Sequence, residues 1–254
     1  MKFSETVKHN TPDLMISKRH DAWLESNDHP KYSTEAIKFA LREFKATPRV
    51  RAGTVSASSL GECPRQQQFT YLGLYRLPPD QKNAMKMHNG AMVHLRWQMA
   101  GLTAGWLKGV EVPVIHHDLG LRGTMDGISD HGDVVEIKSI NLNGFSRVNT
   151  FGPLFPHLYQ MASYMLCSDR AKGRFIYECK DNQEYREIPI TADELPMGEV
   201  RAAAKSMWAH ITNHDLFEPL SKCIDREGWQ YNSCPFRDRC LKIHTWEDAS
   251  ASRA

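Results

Sequence analysis

A chain of 254 residues with 41% apolar and 24% charged residues is long enough to bury a sizeable core and has an ordinary globular composition, which excludes a disordered or fibrous chain. Its 32 Lys and Arg against 30 Asp and Glu leave a formal net charge of +2, so nucleic-acid binding through global charge is excluded and any such contact must come from a local patch. No apolar run approaches membrane-spanning length, and the opening MKFSETVKHN lacks the apolar core of a secretion signal. We therefore expect no membrane partner and a cytoplasmic protein whose six cysteines stay reduced and serve metal binding or catalysis more than disulfides.

Residues 1–57 are expected to form a polar, helical N-terminal segment. Ser33 caps a helix through TEAIKFALREF, with Ile37, Ala40, Leu41 and Phe44 on one face and Pro48 just past its end. The basic cluster Arg42, Lys45, Arg49 and Arg51 is most simply a solvated face, with phosphate contact as the alternative. In VSASSLGECPRQQQFTYLGL, Ser58 or Ser59 caps a helix that carries Cys63 near its first turn and turns Phe69 and Leu72 inward. The spacing of Met85, Met92, Val93, Leu95, Trp97 and Met99 predicts a long helix from Lys82 to about Ala104 with the methionines as core filler. His94, four residues after Gly90, reads by itself as a core histidine.

Val110 to His116 and Leu121 to Ile128 read as adjacent strands. The stretch GTMDGISDHGDVVEIKSI then makes a hairpin in which Asp126 closes one strand and Val134, Val135 and Ile137 open the next. Alternation along an extended strand sends Glu136 and Lys138 to one side and Val135 and Ile137 to the other. Two carboxylates and an ammonium at one end of a hairpin are costly to bury, and they suit a hard divalent cation, Mg2+ or Mn2+, beside a phosphate, with the Ile137 carbonyl as a further ligand. A solvated hairpin with a surface Glu–Lys pair is the simpler alternative. A turn-rich NLNGFSRVNTFGP leads into a helix from about Pro153 or Pro156 to Cys167, on which Gln160 and Tyr164 share a face. A hairpin over Gly173–Lys180 and Tyr185–Ile190 and an amphipathic helix from Thr191 to about Asn213 follow. Cys223, Cys234 and Cys240, close together in a segment rich in aromatics and Arg, point to a metal cluster. Cys167 and Cys179 read as inert core thiols.

Gly90 with His94, Gly123 with Asp126, Glu136 with Lys138, and Gln160 with Tyr164 occur in the order G-x3-H, G-x-x-D, E-x-K, Q-x3-Y. This order resembles the PD-(D/E)xK nuclease superfamily and its RecB-like branch. The resemblance implies an α/β, restriction-endonuclease-like core over residues 58–220, a central mixed sheet flanked by helices, with residues 221–254 packed on it in one compact domain. It implies His94, Asp126 and Glu136, with Ile137, as metal ligands, Lys138 as the catalytic lysine, and Gln160 and Tyr164 as residues that orient the site and contact DNA. Cys63 with Cys223, Cys234 and Cys240 is similar to the iron-sulfur subgroup of this branch, which includes the CRISPR adaptation nucleases, and implies a [4Fe-4S] cluster joining the N- and C-terminal segments. That subgroup's late pattern is C-x2-C-x5-C. Here Tyr231 stands where its first cysteine is expected and Cys223 lies farther upstream, which leaves open an insertion, a zinc site with His214 or His244, or a vacant site.

These features together lead us to expect a Mg2+- or Mn2+-dependent DNA exonuclease of replication, recombination or repair. It would act on single strands or duplex ends in the cytoplasm, the host's if phage-encoded, with a homo-oligomer and a replication or recombination partner protein compatible with the resemblance. The alternative is a DNA-binding or assembly protein with a vestigial or partner-dependent nuclease centre, as in CRISPR spacer acquisition. No G-x4-G-K-S/T phosphate loop occurs that would supply a helicase activity.

Overall fold

Strands β4 (Val134–Ile140, VVEIKSI) and β5 (Lys172–Cys179, KGRFIYEC) are apolar over most of their length because they run side by side in the middle of a sheet covered on both faces. The computed structural model describes residues 14–26, 31–46, 52–226 and 228–252. Among these, the sheet has six strands: β1 (Val55–Ser56), β2 (Leu107–His116), β3 (Leu121–Ser129), β4, β5 and β6 (Tyr185–Thr191). Its order is β1-β3-β4-β5-β6 with β2 paired to β3; β4–β5 and β1–β3 are parallel and the other pairs antiparallel. The parallel β4–β5 pair needs a crossover, supplied by α5 (Leu142–Phe151) and α6 (Phe155–Ser168). The central mixed sheet flanked by helices expected from the motifs is what the chain adopts.

Two apolar layers sandwich the sheet. On one face Val93, Trp97 and Ala100 of α4 (Gln81–Ala104) and Ile16 of α1 (Met15–Glu25) pack on Val135, Ile137 and Ile176. On the other, Met161 and Met165 of α6, Ala204 of α7 (Met197–Thr212) and Phe69 of α3 (Pro64–Leu72) join the core of Val134, Met125, Phe175 and Tyr177. Helix α1 is fixed by Glu187 of β6, which accepts from Ser17 N at 2.7 Å and Ile16 N at 3.3 Å and pairs with Arg174 at 2.8 Å. Arg174 also pairs with Asp133 at 2.6 Å. A carboxylate at a helix N-terminus, itself neutralised by a buried guanidinium, satisfies every member of this set.

The C-terminal segment, with α8 (Ser221–Ile224), α9 (Gly228–Ser233), α10 (Arg237–Cys240) and α11 (Trp246–Ala251), is bound to α3 through Arg65, Gln68 and Phe69. Buried Arg65 donates to the carbonyls of Phe217, Ile243 and, at 3.3 Å, Cys240. Gln68 exchanges hydrogen bonds with Asp215 O at 2.8 Å and Phe217 N at 2.9 Å, and Phe236 packs edge-on against Phe69.

Several local expectations need correction. Helix α2 (Thr34–Lys45) has its Ser33 cap, but it packs through Ala36, Phe39 and Ala40 and leaves Ile37, Leu41 and Phe44 exposed, because the small alanines allow close approach to α4. Met85 is 56% exposed and is not core filler. NLNGFSRVNTF is helix α5: Asn141 caps it by accepting from Gly144 N, and Phe145 and Val148 bury one side, so the Asn and Gly are capping residues here. Thr191 ends β6 and caps a 3-10 turn over Ala192–Glu194; α7 starts only at Met197, behind Pro196. Residues Ala57–Ser59 form another such turn, which leaves Cys63 at the N-cap of α3. Pro48, Arg49 and Arg51 lie outside the described residues. Among those described, no helix is long and apolar enough to cross a membrane.

Candidate active site

The site lies where β3 and β4 part. The two strands pair only at Gly127–Val135 and Ile128–Val134, next to their turn. Strand β2 occupies the whole opposite edge of β3, and β1 pairs with Leu121 and Arg122 beyond the parting. Ile137 N therefore has no β3 carbonyl opposite it, and the Asp126 carboxylate fills the gap, its Oδ2 accepting from Ile137 N at 2.7 Å. From α4, His94 Nδ1 lies 3.2 Å from Asp126 Oδ1. On the face covered by α6, Lys138 Nζ sits 2.7 Å from Glu136 Oε1 and donates to Gln160 Oε1 at 2.7 Å; Gln160 Nε2 donates in turn to the Tyr164 hydroxyl at 3.1 Å. All six motif side chains are thus joined in two short chains of contacts. Gly123 belongs to the same construction, since a Cβ there would lie 2.7 Å from the Tyr164 ring and 3.1 Å from Ala57 Cβ.

Charge is unevenly shared. Burial works to raise Asp126, but the charge and hydrogen bond of His94, then Lys138 and the Ile137 N–H, outweigh it and hold the carboxyl below its usual range. Burial works to lower His94, but the charge and hydrogen bond of Asp126, with the charge of Glu136, outweigh it and raise the imidazole above its usual value. Glu136, 1% exposed, is pushed up to about 7 by burial first and by the Asp126 charge second, with Lys138 pulling the other way. Tyr164 is raised well above the ordinary phenol range, by burial and then by Glu136, and stays protonated.

The donor set suits a hard divalent cation: two carboxylates, an imidazole and the Ile137 backbone. Glu136 Oε2 is buried with no hydrogen-bond partner among the described residues, which is what a carboxylate intended for a cation looks like without one. Among the described residues no three His, Cys, Asp or Glu side chains are preset as a metal group; here the His94–Asp126 contact holds two of the donors against one another.

A cavity of about 980 Å³ opens beside Lys138 and Gln160 and extends to Cys63, Cys223, Cys234 and Cys240, all four of which line it. Burial raises the Cys234 thiol to about 11, and the neighbouring cysteines Cys240, Cys63 and Cys223 add to the shift. Tyr231, which stands where the resemblance led us to expect a cysteine, lines the same cavity. His214 instead stacks on Trp246 at 5.3 Å, and the His244 backbone N–H is bound to Asp248; neither lines the cavity. Cys179 is buried in β5, and burial raises the Cys167 thiol to about 11, which suits unreactive thiols.

Sequence reasoning missed Gln98 and Glu111. Gln98 Nε2 donates to Asp126 O at 2.9 Å and to Glu111 Oε1 at 3.0 Å. Glu111 has φ +49°, sparsely populated for a residue with a side chain. Its signal was an acid inside the apolar strand VEVPV. His157 was missed as well, although it stands three residues before Gln160 on one face of α6 and lines the cavity.

No protein-family model matches the sequence, and neither does any curated protein. Among solved structures the chain is similar to SSO0001, with 20% identity, a TM-score of 0.53, and coverage of 83% of this chain and 95% of that one. It also matches the alkaline exonuclease LHK-Exo from Laribacter hongkongensis at 18% identity and TM-score 0.48, over 64% of this chain and 90% of that one. The same enzyme in complex with dAMP matches at 18% identity and TM-score 0.45, with the same coverage. The likeness to SSO0001 is one of fold.

Proposed function

We propose that the chain is a divalent-metal-dependent deoxyribonuclease that hydrolyses phosphodiester bonds at DNA ends. The observation that supports this best is the convergence of Asp126, bound to the Ile137 N–H, and the Glu136–Lys138 pair at the parting of β3 and β4, with an orphaned buried oxygen on Glu136. His94, Asp126, Glu136 and the Ile137 carbonyl would hold Mg2+ or Mn2+, which when bound supplies charge neutralisation of the phosphodiester and acidifies the attacking water. Lys138, an ammonium held between two acceptors, would stabilise negative charge developing on the phosphate and orient the attacking water as a hydrogen-bond donor. Gln160 fixes the lysine, and Tyr164 fixes Gln160 with a hydroxyl that remains a donor. Because the donors are carboxylates and imidazole, hard Mg2+ and softer-tolerant Mn2+ both suit the set.

A cleavage time course with Mg2+ or Mn2+ on end-labelled linear single strands, linear duplex and closed circles tests this, with Asp126→Ala as control. Loss of linear DNA with circles spared is the expected result, and the surviving label gives the polarity. Nicked circles would make the protein an endonuclease. Tight binding without cleavage by anaerobically purified protein would favour the DNA-binding or assembly role with a partner-dependent centre.

Cys63, Cys223, Cys234 and Cys240 form, in the same reading, a structural metal centre, a [4Fe-4S] cluster in preference to zinc. Four sulfur donors lining one cavity support it. Anaerobic purification should yield brown protein containing iron and sulfide; colourless, zinc-loaded, fully active protein would overturn the iron assignment.

A further inference from the structure

We propose that His157 is a strand-binding residue of the site, donating a hydrogen bond from Nε2 to a phosphate oxygen of the nucleic acid that occupies the cavity beside Lys138 and Gln160. The inference rests on the nuclease reading and adds to it a contact that the four motifs leave out. His157 Nδ1 lies 2.8 Å from the hydroxyl of Tyr177, a fully buried residue of β5 in register with Lys138. Burial first holds the Tyr177 phenol above its usual range, so it keeps a proton to give, and Nδ1 is the acceptor in reach. That assigns the tautomer: Nδ1 is bare, and Nε2 carries the hydrogen.

The ring is also neutral. Burial first, and the Lys138 charge second, lower its pKa to about 3, so it is a donor without being a cation. A neutral imidazole with a fixed tautomer beside an ammonium suits an anion that Lys138 balances. The surroundings agree. The charged side chains lining the cavity are Arg76, Lys138 and Arg237 against the single acid Glu62, and the first turn of α6, at Leu154, Pro156 and His157, faces it.

The experiment measures binding and cleavage together. Fluorescence anisotropy in EDTA gives the Kd of wild type, His157→Leu, His157→Gln and Tyr177→Phe for a single-stranded oligonucleotide and for a set in which one phosphate at a time is a neutral methylphosphonate. Cleavage kinetics with Mn2+ follow on the same DNAs, with Asp126→Ala as control. His157→Leu should weaken binding roughly tenfold or more, the scale of a hydrogen bond to a charged group, and raise KM with kcat little changed. His157→Gln, which keeps a neutral donor, should recover most of the loss, and Tyr177→Phe should lose less than His157→Leu. At one methylphosphonate position wild type and His157→Leu should bind alike, because the same contact is already gone. Equal affinity of wild type and His157→Leu, or a His157→Leu loss that simply adds to every methylphosphonate, overturns the inference. Absence of cleavage by wild type, or cleavage by Asp126→Ala, overturns the nuclease reading instead; the binding arm separates the two failures.

Discussion

One cavity connects two clusters that are built in opposite ways. The acid–base cluster stands on long elements: His94 on α4, Asp126 on β3, Glu136 and Lys138 on β4, Gln160 and Tyr164 on α6, each side chain held by a neighbour. The cysteines stand at a helix N-cap and on or beside helices of four to six residues, and Arg65 and Gln68 tie their segment to α3. The side chains of the first cluster hold one another in place, with His94 turned onto Asp126. The second is a group of thiols, and for Cys223, Cys234 and Cys240 burial raises the pKa, so metal loading there must release protons.

The sharpest way to test this contrast is to remove a group from the first cluster. Asp126→Ala or Lys138→Ala should lower cleavage roughly 10³-fold or more while near-ultraviolet circular dichroism stays that of wild type, because the sheet and not the site carries the fold. Next in size is Arg65→Met, which leaves buried carbonyls unpaired and should cost about 3 kcal/mol in denaturant melts. Limited proteolysis should then cut the C-terminal segment first; a global loss with no such preference would mean that the segment is integral to the core.

An effect of similar size but confined to acid concerns His20. It stacks on Trp97 at 4.1 Å, and burial, then the Arg96 charge, lower it to about 4. Since the unfolded chain takes up the proton near pH 6.5 and the folded one does not, stability is unaffected above that pH. It is lost as pH falls from 6.5 toward 4, by up to about 3 kcal/mol. His157, lowered to about 3, acts with the same sign. Denaturant melts across this range should show the slope, and His20→Phe should flatten it. The smallest effect is a gain: a Cβ at Gly90 meets nothing within 4 Å, so Gly90→Ala should stabilise α4 by about 0.5–1 kcal/mol in thermal melts.

The sequence revealed the site's order better than its surroundings. Strands β3 and β4 and helices α4 and α6 were legible because their periods of two and about four residues persist over whole elements, and the four motifs ride on those periods. The inner face of α2 was not, since periodicity marks apolar faces but cannot say whether Ala36 and Ala40 or Leu41 and Phe44 meet α4. Helix α5 was hidden because Asn and Gly announce a turn and a helix cap alike. Glu111, Gln98 and His157 were missed because their partners lie on other elements, and single residues carry no spacing to read.

Gly123 and Tyr164 lie 41 positions apart, yet the ring occupies the volume that a methyl group at 123 would claim, with Ala57 closing the third side. The three positions are a single steric unit. Across homologous chains, size at 57, 123 and 164 should drift together or not at all: a side chain gained at 123 forces the ring to move, and a displaced ring takes its hydroxyl away from Gln160. An engineer who wishes to rebuild this pocket must therefore exchange the trio in one move, since every single-residue path passes through a clash or a hole.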